Sequence, residues 1–306
     1  MPDISHRSAH DAEADARNEE LLIWVDGALV PKAEAVVSVY DSGFMLGDGV
    51  WEGLRVHNAR PAFLEAHLDR LYEAAFAIDL DIGMERAALT EALYATLAAN
   101  GITENAHIRL MVTRGRKKKP FQDPRLSVFG STLVIIAEHS VPTTGGGLRL
   151  MTVPQHRGLP LTQDPKLNSH SKLNCIIPLI HALKAGADEA LMLDPHGWVN
   201  TTNACNFFIV RGGAVWTSTG DYCMNGITRG HVIALCRAHG IPIFEKNFSL
   251  LECYGAEEAF VTGTFGAQTP VVEIDGRRIS DGMGPVTRRI RSLYKDLIAQ
   301  DVGATA

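Results

Sequence analysis

Residues 21 to 30 read LLIWVDGALV, two apolar runs joined by Asp26-Gly27. Asp-Gly between apolar runs is the short sequence most typical of a β-hairpin, because both residues tolerate a positive φ. The stretch therefore predicts that the ordered fold begins with an antiparallel pair of strands. The residues before it, 1–20, are rich in Asp, Glu, Arg and Ala and lack aromatic side chains, which predicts a mobile or partner-contacting arm.

Apolar periodicity after this hairpin predicts a mixed order of strands and helices. Before residue 141 it predicts a second hairpin around Asn58-Ala59, helices at 64–78 and 86–100, and strands at 107–113 and 131–138. After residue 147 it predicts strands at 148–153, 189–194, 206–210, 214–217 and 257–262, and helices at 178–186, 229–239 and 285–299. This order of elements is typical of an α+β fold.

The segment 141–147, VPTTGGG, is the predicted linker, because a proline and three consecutive glycines are costly inside a helix or a strand. A chain of 306 residues agrees with two domains of about 100 to 200 residues each. We therefore expect a small N-terminal domain at 21–140 and a larger C-terminal domain at 148–306.

The composition argues against several classes of protein. With 46% hydrophobic and 21% charged residues, the chain has the composition of an ordinary globular protein. Its 29 basic and 35 acidic residues give a net charge of -6, which disfavours a nucleic-acid partner. No window approaches the roughly 18 apolar residues of a membrane span, and the N-terminus lacks the apolar core of a signal peptide. Five dispersed cysteines without metal-ligand spacing predict reduced thiols, no metal site and a cytoplasmic location.

Three local features are candidates for chemistry. LGDGVWEG (46–53) suits the close approach of another backbone, or is an ordinary glycine-rich turn. Asn225 to Arg229 opens a periodic helix, whose free N–H groups and Thr228 hydroxyl suit a phosphate or a plain N-cap. HSKLN (170–174) places Lys172 before an apolar run, as a solvated lysine or as one that forms a Schiff base. Together the three features are the parts that pyridoxal phosphate requires.

In these motifs the chain resembles the class IV aminotransferases, the pyridoxal-phosphate enzymes of fold type IV. The family includes branched-chain and D-amino-acid aminotransferases, (R)-selective amine transaminases and aminodeoxychorismate lyase. The resemblance implies a two-domain α+β fold, with a small N-terminal α/β domain and a larger C-terminal pseudo-barrel domain. It rests on seven motifs in the family's order: DSGFMLGDGVWEGLRV (41–56), FLEAHLDRL (63–71), HSKLN (170–174), the strand at Asn206, GITR (226–229), TGTFGAQTPV (262–271) and DGRRISDGMGPVT (275–287).

The resemblance also implies roles for individual residues. Lys172 would form the Schiff base with pyridoxal 5'-phosphate and shuttle the substrate's α-proton. Arg70 would bind the cofactor phosphate through its planar guanidinium, and Met224 would pack against the pyridine ring. The full set of cofactor-binding residues that it implies is Arg70, Lys172, Thr201, Met224, Ile227, Thr228 and Thr264.

One position departs from the family's pattern. Five residues before Asn206 the family places a glutamate that pairs with the pyridine nitrogen, whereas this chain has Thr201. A hydroxyl stabilises a positive ring nitrogen less than a carboxylate does, so we expect a weaker electron sink. Asp194 is the nearest upstream acid, but a predicted turn separates it from this strand.

The resemblance to D-amino-acid aminotransferases implies where the substrate binds. Trp51 and Phe265 would border the substrate, and Lys119 would trap its carboxylate. Lys119 lies in a run of four cations, 116–119, so its neighbours are alternatives, and a solvated basic loop explains the run as well.

The predicted function is therefore a pyridoxal-phosphate-dependent aminotransferase. It would exchange an amino group between an amino acid, or an amine, and a 2-oxo acid by way of Lys172, and the resemblance implies a homodimer. Two alternatives are a lyase of the aminodeoxychorismate lyase type, which uses the same lysine, and a cofactor-binding protein silenced by the replacement at Thr201.

Overall fold

The computed structural model describes residues 7–143 and 146–303, and its contacts divide into two units. The N-terminal unit contains residues 12–141, 167–172 and the chain from Ile298 onward. The C-terminal unit contains the described residues up to Asp11 together with 142–166 and 173–297.

The N-terminal unit is an antiparallel sheet covered by helices. Its strands are β1 Leu22–Val25, β2 Ala28–Pro31, β3 Gly49–His57, β4 Arg60–Pro61, β5 Ala106–Thr113 and β6 Thr132–His139. Its α-helices are α1 Ser42–Leu46, α2 Leu64–Ala77 and α3 Arg86–Ala99. The strand order is β2-β1-β6-β5-β3-β4, and every neighbouring pair is antiparallel. The predicted turn at Asp26-Gly27 is confirmed, with φ of 45° and 98°.

The two faces of this sheet differ. Along β5 buried and half-buried residues alternate, because successive side chains of a strand point to opposite faces. The buried face, with Ile108 and Leu110, joins one apolar cluster with Leu68 of α2 and Leu93 of α3. The half-buried face carries Arg109.

The C-terminal unit contains a closed ring of strands. Its strands are β7 Leu148–Thr152, β8 Glu189–Leu193, β9 Val199–Thr202, β10 Asn206–Arg211, β11 Ala214–Thr217, β12 Ile243–Glu245, β13 Glu258–Gly263, β14 Ala267–Ile274 and β15 Arg277–Arg278. Its helices are α4 Leu173–Lys184, α5 Ile227–Ala238, α6 Leu250–Tyr254 and α7 Pro285–Asp301. Because β9 pairs with both β8 and β10, the path β10-β13-β14-β7-β8-β9 closes on itself. The predicted pseudo-barrel is thus confirmed.

A buried carboxylate caps α7. Glu258 accepts hydrogen bonds from the N–H groups of Val286 and Thr287, each at 2.9 Å, and from the Thr287 hydroxyl at 2.6 Å. These first N–H groups of a helix have no partner within the helix. The GPVT part of the last motif is therefore a helix start held by Glu258. Among the described helices, none combines the length and the apolar character that a bilayer span requires.

Several boundaries differ from the sequence-based ones. Residues 167–172 belong with the N-terminal unit, because Ser169 pairs with Val50 of β3. The chain after Ile298 also belongs there, where the Asp301 carboxylate accepts the Phe63 N–H at 2.6 Å. Residues 144 and 145 of the predicted linker lie outside the described residues.

The described part of the predicted arm, residues 7–20, is packed or helical at several positions. Residues 1–6 lie outside the described residues, whereas Ala9 is buried in a core cluster of the C-terminal unit and 16–19 form a 3-10 helix. Helix α4 begins at Leu173 rather than at Pro178, which lies inside it. Periodicity missed the short strands β9 and β12, since three or four residues are too few to show a pattern.

Candidate active site

The predicted phosphate ligand Arg70 is held by a buried carboxylate. Its Nε and Nη2 atoms each donate to Glu52, at 2.7 Å, and His67 Nδ1 lies 2.7 Å from the same carboxylate. Burial alone raises the pKa of Glu52, but hydrogen bonds from Arg70 and His67 outweigh it and leave the pKa below its ordinary value. Glu52 is therefore an anion, and its charge fixes the guanidinium in one orientation.

One nitrogen of Arg70 is left over. Nη1 is buried and has no hydrogen-bond partner among the described residues. Leaving a buried donor unsatisfied costs about 1–3 kcal/mol, so such an atom calls for an acceptor. With two nitrogens held by Glu52, the third is presented to an anion.

Trp51 is held by the segment 168–170. Its backbone N–H donates to the Asn168 carbonyl at 3.0 Å, and its indole N–H donates to the Ser169 carbonyl at 3.1 Å. Asn168 is buried, and its Nδ2 donates to the Trp51 carbonyl at 2.6 Å, while its Oδ1 has no partner among the described residues. The approach is close, because a Cβ on Gly49 would lie 2.6 Å from His170 Cδ2. A Cβ on Gly47 would likewise lie 3.1 Å from the Ser171 Cα, so Gly47 and Gly49 of LGDGVWEG allow this segment to approach closely.

Lys172 lies two residues after this segment. Its Nζ lies 5.6 Å from the centroid of the Trp51 ring, and the residue is half-buried. The chain from 168 to 170 is bonded to β3, so the position of Lys172 relative to Trp51 is set by the sheet. The structure thus brings together two residues that the sequence separates by more than a hundred positions.

Arg109 also lies over the Trp51 ring. Its Cζ lies 3.3 Å from the ring centroid, and no carboxylate among the described residues pairs with it. Burial lowers the pKa of Arg109 to about 10, so it remains a cation at neutral pH. A half-buried guanidinium without an anion partner is suited to a substrate carboxylate.

The cations of the basic loop, residues 114–119, lie in different surroundings. Arg114 donates to Asp48 and to the carbonyls of Ile78 and Asp79, and Lys117 is buried with its Nζ 3.0 Å from the Asp123 carbonyl. Lys119 is exposed on the loop. The structure therefore offers Arg109 as the cation beside Trp51, and places Lys119 on the surface.

In the C-terminal unit, Asn206 organises the loop before α5. It pairs in register with Thr201 of β9 and with Thr262 of β13. Its Nδ2 donates to the Met224 carbonyl at 2.8 Å. A Cβ on Gly226 would overlap Asn206 Oδ1, so a larger residue would displace either the Asn206 side chain or the loop. Thr201 and Met224 were both predicted to contact the pyridine ring of the cofactor. Asn206 contacts both of them and so links their positions.

Helix α5 presents its N-terminus beside this loop. The first helical hydrogen bond is made by Gly230 N–H to Gly226, so the amides of Ile227 and Thr228 have no partner within the helix. Thr228 Oγ1 lies 3.3 Å from the Tyr294 hydroxyl, which leaves it further hydrogen-bonding capacity. Free amides at a positive helix end are suited to an anion.

The remaining predicted residues lie in the same unit. Thr264 and Phe265 form the tight turn between β13 and β14, and Phe265 is stacked on His10 with centroids 5.9 Å apart. Thr201 Oγ1 donates to the Cys205 carbonyl at 2.6 Å. Asp194 uses its Oδ1 to accept turn N–H groups, so it is committed to that turn.

Sequence reasoning missed three residues of these clusters: Glu52, Arg109 and Asn168. Glu52 stood inside a quoted motif, where an acid among the apolar residues of a strand was the available signal. Arg109 alternates with the core residues of its strand, so its face was predictable but its contact with Trp51 was not. Nothing in the sequence indicated the role of Asn168.

Comparisons with known proteins agree with this geometry. The sequence profile of the family described as amino-transferase class IV matches residues 49–274. A branched-chain-amino-acid aminotransferase-like protein of Arabidopsis thaliana is 42% identical over 92% of this chain and 51% of its own length. The branched-chain-amino-acid aminotransferase of Pseudomonas aeruginosa is 34% identical, over 93% of this chain and 95% of its own.

A solved structure extends the likeness to three dimensions. The branched-chain aminotransferase of the thermophilic archaeon Thermoproteus uzoniensis, crystallised with norvaline, superposes with a TM-score of 0.82 at 31% identity, covering 93% of this chain and 97% of that one. The chain therefore belongs to the class IV aminotransferase family and has its fold type IV architecture. It spans about half the length of the Arabidopsis relatives that it matches.

Proposed function

We propose that this protein is a pyridoxal-phosphate-dependent aminotransferase, which exchanges an amino group between an amino acid and a 2-oxo acid. The observation that carries the proposal is Arg70, whose Nη1 is buried and unpartnered while Glu52 holds its other nitrogens. A guanidinium fixed in this way is suited to a phosphate oxygen. Pyridoxal phosphate is the cofactor of the family to which the chain belongs.

The residues of the C-terminal unit fit the same cofactor. The amides of Ile227 and Thr228, with the hydroxyls of Thr228 and Thr264, would hold phosphate oxygens. Met224 would lie against the ring, in the position that Asn206 gives it. Thr201 donates its hydroxyl proton to the Cys205 carbonyl. The hydroxyl oxygen would therefore act toward a protonated ring nitrogen only as a hydrogen-bond acceptor.

The chemistry is then divided between the cofactor and the chain. When bound, pyridoxal phosphate supplies an electron sink for the pair left behind when the substrate's α-proton departs. Lys172 Nζ is the group that would hold the cofactor, and it would take the substrate's α-proton and return it. Trp51 bounds the space around this nitrogen and excludes water from one side.

Arg109 would bind the substrate carboxylate in place of the predicted Lys119. It is half-buried, beside Trp51 and without an anion of its own, whereas Lys119 is exposed. Trp51 and Phe265 would limit the size of the side chain. A donor amino acid leaves as its 2-oxo acid, and an acceptor 2-oxo acid then leaves as an amino acid, so the two half-reactions balance.

The same proposal includes a homodimer in the cytoplasm. Leu173, Ile176, Ile177 and Ile180 of α4 recur at helical spacing and are each 42% to 67% exposed. An exposed apolar stripe of this kind is typical of a subunit interface. The five cysteines are all unpaired, which agrees with a reducing compartment.

The experiment that tests the function is a spectroscopic titration of cofactor-loaded protein with L- and D-amino acids in the absence of an acceptor. Conversion of the cofactor to its amine form, with one equivalent of 2-oxo acid released, is the expected result. Pyruvate release without that conversion would support the lyase alternative. A spectrum unchanged by every donor would contradict both and support a silenced protein.

The role of Lys172 is tested separately, by borohydride reduction of the loaded protein and mass spectrometry of its peptides. We expect the label on Lys172, and none in Lys172→Ala. Lys166→Ala is the matched control, because Lys166 is exposed six residues earlier and its loss should leave the label in place. A label on Lys166, or on no lysine, would overturn the assignment.

A further inference from the structure

Three side chains with metal-ligating atoms meet in the C-terminal unit, apart from the residues assigned to the cofactor. They are His10, Glu189 and Cys205, and one ligand atom of each lies within 4.8 Å of the other two. Their sequence positions are far apart, so no spacing rule detects them. The expectation of no metal site rested on such spacing alone.

Two of the three residues are already oriented. Glu189 at the start of β8 accepts the Ala9 N–H on Oε1 at 2.9 Å and the Thr202 hydroxyl on Oε2 at 3.1 Å. Cys205 directly precedes β10, and its N–H donates to Thr202 Oγ1 at 2.9 Å. In metal sites, hydrogen bonds from neighbouring groups commonly hold the ligand residues in the orientation that binds the metal.

Charge and burial also favour a cation here. Glu189 is only 1% exposed, and no Lys or Arg among the described residues forms a salt bridge with it, while Arg149 pairs with the adjacent Asp188. Glu189 and a deprotonated Cys205 would place two negative charges in a buried position, which is costly without a counter-charge. A divalent cation would supply that charge to both.

The third residue comes from the N-terminal segment. His10 is exposed, and its ring can turn toward the two buried ligands while the neighbouring Ala9 is fixed by Glu189. His10 also stacks on Phe265. A ligand on this segment would therefore couple metal binding to its docking on the C-terminal unit.

We propose that His10, Glu189 and Cys205 form a binding site for a divalent transition metal, with Zn²⁺ as the best match. One imidazole nitrogen, one carboxylate oxygen and one thiolate sulfur suit a borderline-soft ion with tetrahedral coordination, and water takes the fourth position. The ion links the segment around His10 to β8 and to the start of β10.

The experiment titrates reduced, tag-free protein with Co²⁺, the spectroscopic substitute for Zn²⁺. All variants carry Cys175→Ser, because Cys175 is the most accessible of the other thiols. We expect visible bands of tetrahedral cobalt and a near-ultraviolet band of thiolate-to-cobalt charge transfer, both displaced by Zn²⁺. Binding is measured without added cofactor or substrate, so failure of the proposed aminotransfer would leave this result unaffected.

Variants separate this site from adventitious binding. His10→Ala should weaken Co²⁺ binding at least about tenfold, because it removes one of the three protein ligands. The matched control is His239→Ala, an exposed histidine elsewhere in the same unit, which should bind as the parent does. Glu189→Gln should abolish binding while keeping an acceptor for the Ala9 N–H.

Two results would overturn the proposal. One is a titration without the charge-transfer band, since that band requires the Cys205 sulfur. The other is equal affinity in the parent and in His10→Ala. If Cys205→Ser does not fold, Cys236→Ser with the intact site still serves as the thiol control and should retain the band.

Discussion

The Arg109 guanidinium lies flat against Trp51, with Cζ 3.3 Å from the centroid of the indole ring. The two residues are diagonal neighbours on the half-buried face, because Arg109 pairs with Gly53 and Trp51 pairs with Met111 across β3 and β5. A stacked guanidinium keeps its N–H edge available for a planar anion. Lys172 Nζ also lies over the Trp51 ring, 5.6 Å from its centroid, so the carboxylate site that we propose for Arg109 would be near this amine.

Arg109→Ala should raise the KM for amino acids by about ten- to a hundredfold, since a hydrogen bond to a charged group contributes about 1.5–3 kcal/mol. The cofactor spectrum and the KM for amines without a carboxylate should change little. Steady-state kinetics on an amino acid and its decarboxylated amine measure both effects.

Lys119→Ala is the matched control for that prediction. Lys119 is a cation on the exposed loop, so its loss should leave both KM values near those of the parent. The reverse pattern, with Lys119→Ala impaired and Arg109→Ala normal, would show that Lys119 rather than Arg109 binds the substrate carboxylate.

Gly226→Ala should weaken cofactor binding at least about tenfold. A Cβ at this position overlaps Asn206 Oδ1, so either the loop or the Asn206 side chain must shift, and both changes disturb the hydrogen bond from Asn206 to the Met224 carbonyl. Equilibrium dialysis of pyridoxal phosphate measures the effect. Gly230→Ala, one turn further along α5, meets no atom within 4 Å and should instead stabilise the helix by about 0.5–1 kcal/mol with unchanged cofactor affinity. Equal cofactor affinity in the two variants would contradict this account of the loop.

His170 should make the protein less stable as the pH falls from 6.5 toward 4. Burial, with the nearby Arg109 charge, lowers the pKa of His170 from 6.5 to about 4, while its Nε2 lies 3.1 Å from the Val50 carbonyl. The unfolded chain then binds more protons than the folded one in this window, so the free energy of unfolding falls by up to about 3 kcal/mol.

Urea denaturation across this pH range measures the slope, and NMR of the ring follows the titration of His170 itself. His170→Gln should reduce the slope, because glutamine can still donate to the Val50 carbonyl but does not titrate. His156→Gln changes an exposed histidine and should follow the parent curve. Protonation of the His170 ring near pH 6.5 would disprove the assignment.

Ile176→Lys with Ile180→Lys should convert the protein to a monomer. The two side chains are 48% and 43% exposed on the apolar stripe of α4, and a buried lysine pair at an interface is strongly unfavourable. Light scattering coupled to size exclusion gives the mass directly. Leu251→Lys alters an apolar residue of α6 that is 78% exposed and should leave the mass unchanged. If the parent protein is itself a monomer, the proposed interface on α4 does not exist.

Signals that lie within a few residues were sufficient for much of the fold. The turn at Asp26-Gly27 follows from the backbone freedom of two residues, and the start of α7 follows from Pro285 before a periodic face. The seven ordered motifs identified the family, and the helix predicted to begin within 225–229 begins at Ile227. Such features depend only on local dihedral angles and on the 3.6- and 2-residue periods.

Contacts between residues on different strands could not be predicted from local sequence signals in this way. Lys119 matched a motif but lies on the surface, while Arg109 matched none and lies on Trp51. Segment boundaries shifted for the same reason, because the chain around Ser169 pairs with Val50 more than a hundred residues away.

The sequence by itself determined the family and the fold class, and it supplied the residues that we propose for the cofactor, because each is encoded in short contiguous motifs. Only the tertiary structure decided that Glu52 orients Arg70, that Arg109 lies on the Trp51 ring, and that His10 lies near Glu189. These are pairings of side chains far apart in the chain. Their energies depend on burial and distance, which arise only when the strands have found their register.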